Sequence, residues 1–433
     1  MSDPVRTIAF LVLRAAREQD AYVNLTLPGM LTEHRVTGRD AALATELVHG
    51  TIRRQATYDA IIDRLVSRPL DPPVRDALRL GAHQLLSMRV PAHAAVSETV
   101  DVVRRELGHK PVGFVNAVLR RIGAKRLEVW LEEVTEGLDA DDVRAVRTSH
   151  PRWIIEAFRD ALTEGGAADD DTLDALLEAD NAAPQVTLVA RPGLCEPDEL
   201  PGMPGEHSPY AKILDAGDPG SIPAVRDGRA GVQDEGSQLV AILLAEAGLE
   251  HRPGAPGSDA RWLDLCAGPG GKAALIGALA AQQGANLVAN EVQHHRAELV
   301  RGGVRALDNV EVTVFDGRHG PWRPGSFDRV LVDAPCTGLG ALRRRPEARW
   351  RRQPDDLDVL VGLQRELLAR ALELTRPGGV TVYATCSPHR SETTGVLQAV
   401  TGRRDDVAVE STRQWWPHVH GTDAMFAAVL RRL

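Results

Sequence analysis

Apolar residues follow two different periods along the chain, and the change between them divides the sequence. Over residues 6–125 they recur at helical spacing, as in 8–13, 43–48 and 61–66. Breaks at proline and glycine, such as Pro28-Gly29 and Pro72-Pro73, leave room for five to seven helices. This pattern predicts an all-α bundle at the amino-terminal end.

Beyond residue 230, short apolar runs alternate with helical stretches, which is typical of a doubly wound α/β sheet. A long amphipathic helix is expected over 357–374. The predicted strands lie near residues 262–265, 287–289, 310–314, 330–332, 380–383, 407–409 and 427–430. Between bundle and sheet, one helix, a strand near 185–190 and a loop rich in glycine and proline predict a small α+β subdomain. The predicted fold is therefore α+β and multidomain: an all-α bundle over 1–148, a linker subdomain over 149–230 and a Rossmann-like α/β sheet over 231–433.

A glycine turn joins the first strand of this sheet to a helix. Gly268, Gly270 and Gly271 let the backbone approach a ligand, and the free N–H groups of the next helix face the turn. A P-loop is excluded because Cys266 and Ala273 stand where that motif needs glycine and Ser or Thr. The sequence lacks the third glycine of a dinucleotide-binding fingerprint. Glu291 nevertheless follows the turn at about the spacing of the acidic residue that, in such folds, accepts hydrogen bonds from a ribose diol. The turn predicts a nucleotide-like cofactor.

Four cysteines occur in the chain, without any Cys-x-x-Cys pair, so neither a zinc site nor a disulfide scaffold is indicated. Cys336 and Cys386 each follow a predicted strand at its carboxyl end, the edge at which open α/β sheets bind ligands. Cys195 and Cys266 are interpreted as small buried apolar side chains. We therefore expect chemistry at Cys336 and Cys386.

The motifs Asp-Leu-Cys-Ala-Gly-Pro-Gly-Gly-Lys at 264–272, Asp-Ala-Pro-Cys at 333–336 and Ala-Thr-Cys-Ser at 384–387 together resemble the RsmB (Sun) family of RNA cytosine carbon-5 methyltransferases. Segments 78–86 and 114–121 are similar to the NusB family of small RNA-binding helical proteins. The resemblance implies a class I methyltransferase sheet, S-adenosyl-L-methionine as cofactor and RNA, 16S ribosomal RNA before subunit assembly is complete, as substrate. For residues 1–148 it implies contact with RNA or a protein partner.

The same resemblance assigns roles to residues. Cofactor contacts are expected from Cys266, Ala267, Gly268, Pro269, Gly270, Gly271, Lys272, Glu291, Asp316 and Asp333. Gly268 stands where the family more often has alanine, a change that we expect to be harmless.

Two cysteines compete for the role of nucleophile. A thiolate that adds to carbon 6 of cytosine activates carbon 5 for methyl transfer. DNA cytosine methyltransferases use the cysteine of a Pro-Cys pair, which would be Cys336. The RNA family assigns the attack to Cys386 and gives Cys336 a part in resolving the adduct. We predict Cys386 as nucleophile, with Asp333 holding the cytosine ring.

The chain has a net charge of −9, but its charged residues are unevenly distributed. Residues 151–257 carry 7 basic and 20 acidic side chains, whereas residues 258–433 carry 23 basic and 20 acidic ones. Both ends of the chain therefore remain candidates for RNA contact. The pairs Arg53-Arg54, Arg104-Arg105 and Arg120-Arg121 are possible members of a basic face. Residues 343–352 hold six arginines and a tryptophan, a composition that suits a target base turned out of its stack.

Two alternatives remain open. A tRNA cytosine-5 methyltransferase would have the same sheet residues, and a non-catalytic RNA-binding or antitermination factor would keep a degenerate sheet. The intact motifs speak against the second. No apolar run reaches the length of a membrane span, so we expect a cytoplasmic protein that does not bind a membrane. We also expect a monomer without a bound metal.

Overall fold

The computed structural model describes residues 4–19, 22–164, 166, 169–250 and 259–433. Within it the chain forms two compact units. The helical unit comprises Met1–Ala182 together with Leu342–Arg352, and the sheet unit comprises Ala183–Ala341 together with Gln353–Leu433. The helical unit is therefore built from two separate stretches of sequence.

The helices are numbered in chain order: α1 (Pro4–Glu18), α2 (Val23–Glu33), α3 (Gly38–Arg53), α4 (Gln55–Leu65), α5 (Pro72–Leu86), α6 (Ala92–Glu106), α7 (Val112–Ile122), α8 (Leu127–Thr135), α9 (Ala140–Thr148), α10 (Arg152–Glu164), α11 (Asp170–Asn181), α12 (Pro223–Arg226), α13 (Glu235–Glu246), α14 (Gly271–Gln282), α15 (His294–Val304), α16 (Ala348–Arg351), α17 (Asp356–Leu374), α18 (Thr394–Thr401) and α19 (Pro417–His420). Of these, α1–α11 and α16 belong to the helical unit.

The predicted all-α bundle is confirmed, with α1–α7 filling the stretch where five to seven helices were expected. The break expected at Pro28-Gly29 is wrong, because both residues lie within α2. Their apolar faces share one core, in which Phe10, Leu47 and Ile61 are fully buried. Gly81 permits the close approach of α5 and α7, because a Cβ at that position would lie 2.5 Å from Leu119 Cδ2. The helical periodicity thus encodes a packed bundle rather than a set of isolated helices.

The strands are β1 (Val186–Ala190), β2 (Met203–Pro204), β3 (Ala211–Leu214), β4 (Ala230–Val232), β5 (Arg261–Asp264), β6 (Asn286–Asn290), β7 (Val310–Thr313), β8 (Phe327–Asp333), β9 (Thr375–Thr385), β10 (Val407–Gln414) and β11 (Phe426–Arg432). The first four form a small antiparallel sheet in the order β2-β3-β1-β4. The strand predicted near 185–190 is β1.

The remaining seven strands form one sheet in the order β10-β11-β9-β8-β5-β6-β7, so the predicted Rossmann-like sheet is confirmed. Strands β5 to β9 run parallel, whereas β11 pairs antiparallel with both β9 and β10. The chain proceeds from β5 outward to β7 and returns to place β8 on the other side of β5. Such a reversal opens a crevice at the carboxyl ends of the strands, where ligands bind in open α/β sheets.

Side chains of successive strand residues enter two different cores. In β8, Leu331 packs with α13 and α14 on one face, while Val330 and Val332 pack with α17 and α18 on the other. Both faces of the central strands are therefore covered, so a ligand would bind at the strand ends rather than on a face.

Candidate active site

Five adjacent parallel strands bring the predicted site residues to one edge of the sheet. Across β7, β6, β5, β8 and β9, the residues that follow the strand ends are Asp316, Glu291, the glycine turn, Cys336 and Cys386. Asp333 is the last residue of β8. Their positions along the chain differ by more than a hundred residues, but the strand order places them in one row.

The glycine turn runs from Leu265 to Gly271, the first residue of α14. Gly270 has a φ of 111°, and a Cβ there would lie 2.9 Å from Val300 Cα, so this position requires glycine. Ala267 is buried, Cys266 and Gly268 are half-buried, and Pro269 and Gly271 are exposed. Burial and the nearby Asp264 raise the pKa of the Cys266 thiol, which agrees with its interpretation as a non-reactive apolar side chain.

Asn290 holds the turn in register with the neighbouring strand ends. Its amide nitrogen donates to the carbonyl oxygens of Leu265 and Phe315 at 3.1 and 3.0 Å, and its amide oxygen accepts from Thr313 and the Phe315 amide. Sequence reasoning did not single out Asn290. The sequence signal that points to it is an asparagine that ends an apolar run immediately before Glu291.

Glu291 is 4% exposed and accepts a hydrogen bond from the Gln293 amide at 2.9 Å. Its Oε2 occupies the space beside Gly268, where a Cβ would lie 2.1 Å away. Arg296 donates to the Gly268 carbonyl at 2.6 Å. The Glu291 carboxylate therefore fills the space that the methyl group of an alanine at position 268 would take. A side chain at 268 would require Glu291 to move.

Asp316 lies at the far end of the row. Its carboxylate accepts hydrogen bonds from Arg318, which lower the pKa of Asp316 well below its usual range. The preceding Phe315 and the residue after Glu291, Val292, are exposed by 43% and 59%. These two apolar side chains flank the strand ends that carry the acids.

Asp264, the last residue of β5, is the acidic group that sequence reasoning missed. It is fully buried, and neither oxygen accepts a hydrogen bond of ordinary geometry from any described residue. Burial, followed by repulsion from Asp333, raises the pKa of Asp264 to about 8, although Lys272 and the nearby Cys266 amide favour its charged form. A buried acid with so strongly raised a pKa, at the edge of the sheet, is a candidate functional residue.

Lys272 and Asp333 form the central ion pair of the row, with Nζ 2.8 Å from Oδ2. Burial by itself would lower the pKa of Lys272, but attraction to Asp333, Cys386 and Asp264 raises it above its ordinary value. Lys272 therefore stays charged among three groups that carry or acquire negative charge.

Cys336 and Cys386, the thiol pair, lie with their Sγ atoms 3.4 Å apart. Both are half-buried, and the Gly340 amide donates to the Cys386 carbonyl at 2.9 Å. The neighbouring Cys386 thiol, burial and the carboxylate of Glu392 raise the pKa of Cys336 well above its usual range. When one of these thiols ionises, the other is held in its protonated form.

The arginine-rich segment does not have the position that its composition suggested. Leu342–Arg352, the anchor segment, belongs to the helical unit, where Arg349 is 1% exposed. The donors of Arg349 bind the carbonyl oxygens of Arg53, Ser149 and Asp180 and the side chain of Asn181. Trp350 donates to the Ile52 carbonyl at 3.1 Å. Among the arginines of this segment only Arg345 is exposed, so most of its positive charge is less accessible to a target base than the composition suggested.

The proposed basic face also loses a member. Arg53 is buried and donates to the Arg343 carbonyl within the helical unit. Arg105, Arg120 and Arg121 are exposed, and Arg104 is exposed but paired with Asp101. Exposed basic charge therefore remains at the carboxyl ends of α6 and α7.

Among the residues that the structure describes, no helix is both long and apolar enough to cross a membrane. Over the same ranges, no cluster of three or more His, Cys, Asp or Glu side chains is arranged to hold a metal ion.

Comparison with protein families gives two matches. Residues 254–431 match the family described as 16S rRNA methyltransferase RsmB/F, and residues 3–124 match the NusB family. A ribosomal RNA small subunit methyltransferase B of Pseudomonas putida is 34% identical, with 92% of this chain and 89% of that protein covered. A putative methyltransferase of Mycobacterium tuberculosis is 50% identical, with 100% and 97% covered.

Solved structures show the same fold. The crystal structure of the protein PH0851 matches with a TM-score of 0.80 at 22% identity, covering 100% of both chains. A methyltransferase homolog from Pyrococcus horikoshii matches with a TM-score of 0.54 at 22% identity, covering 67% of this chain and 97% of that one. The observed helical bundle and seven-stranded sheet are the fold that these sequence matches lead one to expect. The chain belongs to the RsmB/F family of 16S rRNA methyltransferases.

Proposed function

We propose that this protein transfers the methyl group of S-adenosyl-L-methionine to carbon 5 of a cytosine in 16S ribosomal RNA, through a covalent adduct with Cys386. The observation that carries the proposal is the thiol pair, 3.4 Å apart at the carboxyl ends of β8 and β9. The names of the curated relatives support small-subunit ribosomal RNA as the substrate.

The residues at the carboxyl ends of β5, β6 and β7 fit this cofactor. The glycine turn admits close backbone approach, and Glu291 would accept hydrogen bonds from the ribose hydroxyls. Phe315 and Val292 offer exposed apolar walls for the adenine ring, beside Asp316 for its amino group. The buried carboxyl of Asp264 would be stabilised as an anion by the cationic amino group of the methionine part. When bound, the cofactor supplies an electrophilic methyl group.

The environment favours Cys386 over Cys336 as the nucleophile. Lys272 is attracted to Cys386, so its positive charge favours the Cys386 thiolate. Cys336 has its pKa raised by Cys386, by burial and by Glu392. In the reactive state, negative charge would lie on Cys386 while Cys336 keeps its proton.

The reaction follows from these assignments. The Cys386 thiolate forms a bond to carbon 6, and the electron pair of the ring double bond makes carbon 5 nucleophilic. Carbon 5 takes the methyl group, whose bond to sulfur breaks. Loss of the proton on carbon 5 to a base then restores the ring double bond as the bond from carbon 6 to Cys386 breaks. Cys336, whose Sγ lies 3.4 Å from that of Cys386, would assist this elimination.

Asp333 would select the base. A carboxylate accepts a hydrogen bond from the exocyclic amine of cytosine, whereas uracil presents a carbonyl oxygen at that position. The ion pair with Lys272 holds Asp333 at the end of β8. Cytosine would therefore be favoured because its amine donates to the carboxylate, whereas the carbonyl oxygen of uracil cannot.

Bisulfite sequencing of ribosomal and transfer RNA from a deletion strain tests the proposal. We expect one methylated cytosine of 16S ribosomal RNA to disappear, to return with the wild-type gene and to stay absent with Cys386→Ala. Loss of a tRNA site with 16S methylation unchanged would assign the protein to tRNA instead. Unchanged methylation, with no binding of S-adenosylmethionine at millimolar concentration in isothermal titration, would favour the non-catalytic RNA-binding alternative.

A further inference from the structure

A buried carboxylate lies behind the thiol pair. Glu392 is fully buried, and its Oε1 accepts hydrogen bonds from the Thr337 amide at 2.8 Å and from Gln364 Nε2 at 3.0 Å. Its Oε2 accepts from the Thr337 hydroxyl at 2.5 Å. Neither the sequence motifs nor the family matches point to Glu392. These hydrogen bonds are what draw attention to it.

Glu392 is itself fixed to the rigid part of the sheet unit. The Tyr383 hydroxyl, within β9, donates to the Glu392 carbonyl at 2.7 Å. Gln364, within α17, donates to the Pro335 carbonyl at 2.8 Å with the same amide nitrogen that reaches Glu392. A central strand thus holds the backbone of Glu392 and a covering helix holds its carboxylate, and such elements move less than a loop.

The residues that Glu392 holds adjoin the two thiols. Thr337 follows Cys336, and Ser387 follows Cys386. Their hydroxyl oxygens lie 3.0 Å apart. Because a carboxylate accepts only, the Thr337 hydroxyl donates to Glu392 and must accept from Ser387. A directed chain of hydrogen bonds therefore runs from Ser387 through Thr337 to Glu392 and links the two cysteine loops.

An apolar residue at 392 would fill the space at lower desolvation cost than a carboxylate does. What the carboxylate adds is two oxygen atoms that bind the Thr337 amide and hydroxyl together, which fixes both the position and the rotation of that residue. Since Thr337 is covalently next to Cys336, its orientation also restricts where the Cys336 sulfur lies.

We infer that Glu392 is a positioning residue that acts through Thr337 to hold Cys336 beside Cys386. The catalytic consequence of this inference rests on the proposed function, in which Cys336 assists release of the adduct. Without this tie, Cys386 still attacks and the methyl group is still transferred, but Cys336 is no longer held where elimination needs it.

The first test measures the geometry of the thiols without any methyl transfer. In full-length protein, diamide removes the two thiol hydrogens and joins Cys336 to Cys386, and peptide mass spectrometry gives the rate of cross-linking. Thr337→Val and Glu392→Gln should slow cross-linking about tenfold, the effect of losing a buried hydrogen bond of ordinary strength. Thr337→Ser keeps the hydroxyl and should restore most of the rate, and the exposed neighbour substitution Ser391→Ala should match the wild type.

Thr337→Val removes a single hydroxyl from a side chain of nearly unchanged shape, so it keeps the test decisive if Glu392→Gln fails to fold. Equal cross-linking rates for Thr337→Val and the wild type would overturn the inference, whatever the activity of the protein.

The second test separates positioning from general loss of structure. With RNA and S-adenosylmethionine, Thr337→Val should complete the first methyl transfer within about twofold of the wild-type rate, because the nucleophile is intact, and then slow about tenfold in later turnovers. The covalent enzyme–RNA adduct should accumulate on denaturing gels. Equal slowing of first and later turnovers would contradict positioning. If the wild type neither methylates nor forms an adduct, the proposed function fails, and the cross-linking rates alone decide the role of Glu392.

Discussion

Lys272 Nζ donates a 2.8 Å hydrogen bond to Asp333 Oδ2, which joins the residue after the glycine turn to the last residue of β8. The two residues are 61 positions apart in the sequence. This pair connects the glycine turn to the thiol pair, because the charge of Lys272 is stabilised by Asp333, Cys386 and Asp264 together.

Substitution of Lys272 tests that connection. Lys272→Met removes the charge that favours the Cys386 thiolate and holds Asp333, so methyl transfer should fall by about 10²-fold or more, the usual effect of removing a preorganised charge. Lys272→Arg keeps the charge at a different geometry and should retain more activity. Transfer of labelled methyl groups to unmethylated 16S ribosomal RNA measures both. Activity of Lys272→Met within about twofold of the wild type would contradict the role.

The two thiols should give opposite results when each is replaced. Cys386→Ala should abolish methyl transfer and form no covalent complex, because no bond to carbon 6 is made. Cys336→Ala should still attack and methylate but accumulate an enzyme–RNA adduct that survives denaturing electrophoresis. Cys195→Ala, a change at a buried cysteine in the small-sheet core, is the matched control. An adduct from Cys386→Ala and none from Cys336→Ala would reverse the assignment.

Asp264 should make stability fall as pH rises. Its pKa is about 8 in the folded protein, because of burial and the repulsion of Asp333, against about 3.9 in an unfolded chain. The folded state therefore binds more protons between these values, and the free energy of unfolding decreases by up to a few kcal/mol from about pH 4 to pH 8 through this group. Below that window both states are protonated and the contribution vanishes.

Urea denaturation at pH 5.5 and pH 8 compares the wild type with Asp264→Asn, which cannot ionise. The wild type should lose more stability over this interval than the variant. The same pH dependence in both proteins would show that Asp264 does not titrate within it.

Arg349 should be needed for the stability of the helical unit. Arg349→Met leaves the carbonyl oxygens of Arg53, Ser149 and Asp180 without this donor, so the free energy of unfolding should fall by about 3 kcal/mol or more. The exposed substitution Arg345→Met, in the same segment, should change it by no more than about 0.5 kcal/mol. Hydrogen exchange of α3 and α11 followed by mass spectrometry measures the local effect. Equal exchange in the two variants would contradict the anchoring role.

Much of the fold could be predicted because its determinants are local. The helical spacing of apolar residues before Lys125 and the short apolar runs after Arg261 depend only on neighbouring positions, and all seven strands of the large sheet were located from them. The row of candidate site residues was also accessible, since parallel strands bring their carboxyl ends to one edge. The sequence alone therefore predicts that Cys336 and Cys386 lie at the same edge of the sheet. Their roles, and that of Asp333, remain predictions.

What the sequence could not determine depends on partners distant in the chain. A sequence with six arginines in ten residues is the same whether those side chains face solvent or bind buried carbonyl groups. Arg349 can be buried because the carbonyl oxygens of Arg53, Ser149 and Asp180 accept its hydrogen bonds, and these residues are distant in the chain. Asp264 has an unusual pKa because the tertiary structure removes water from it and places Asp333 nearby. Local periodicity decides which elements form, whereas burial and long-range hydrogen bonds decide the charge and position of the side chains between them, and these are properties of the folded chain alone.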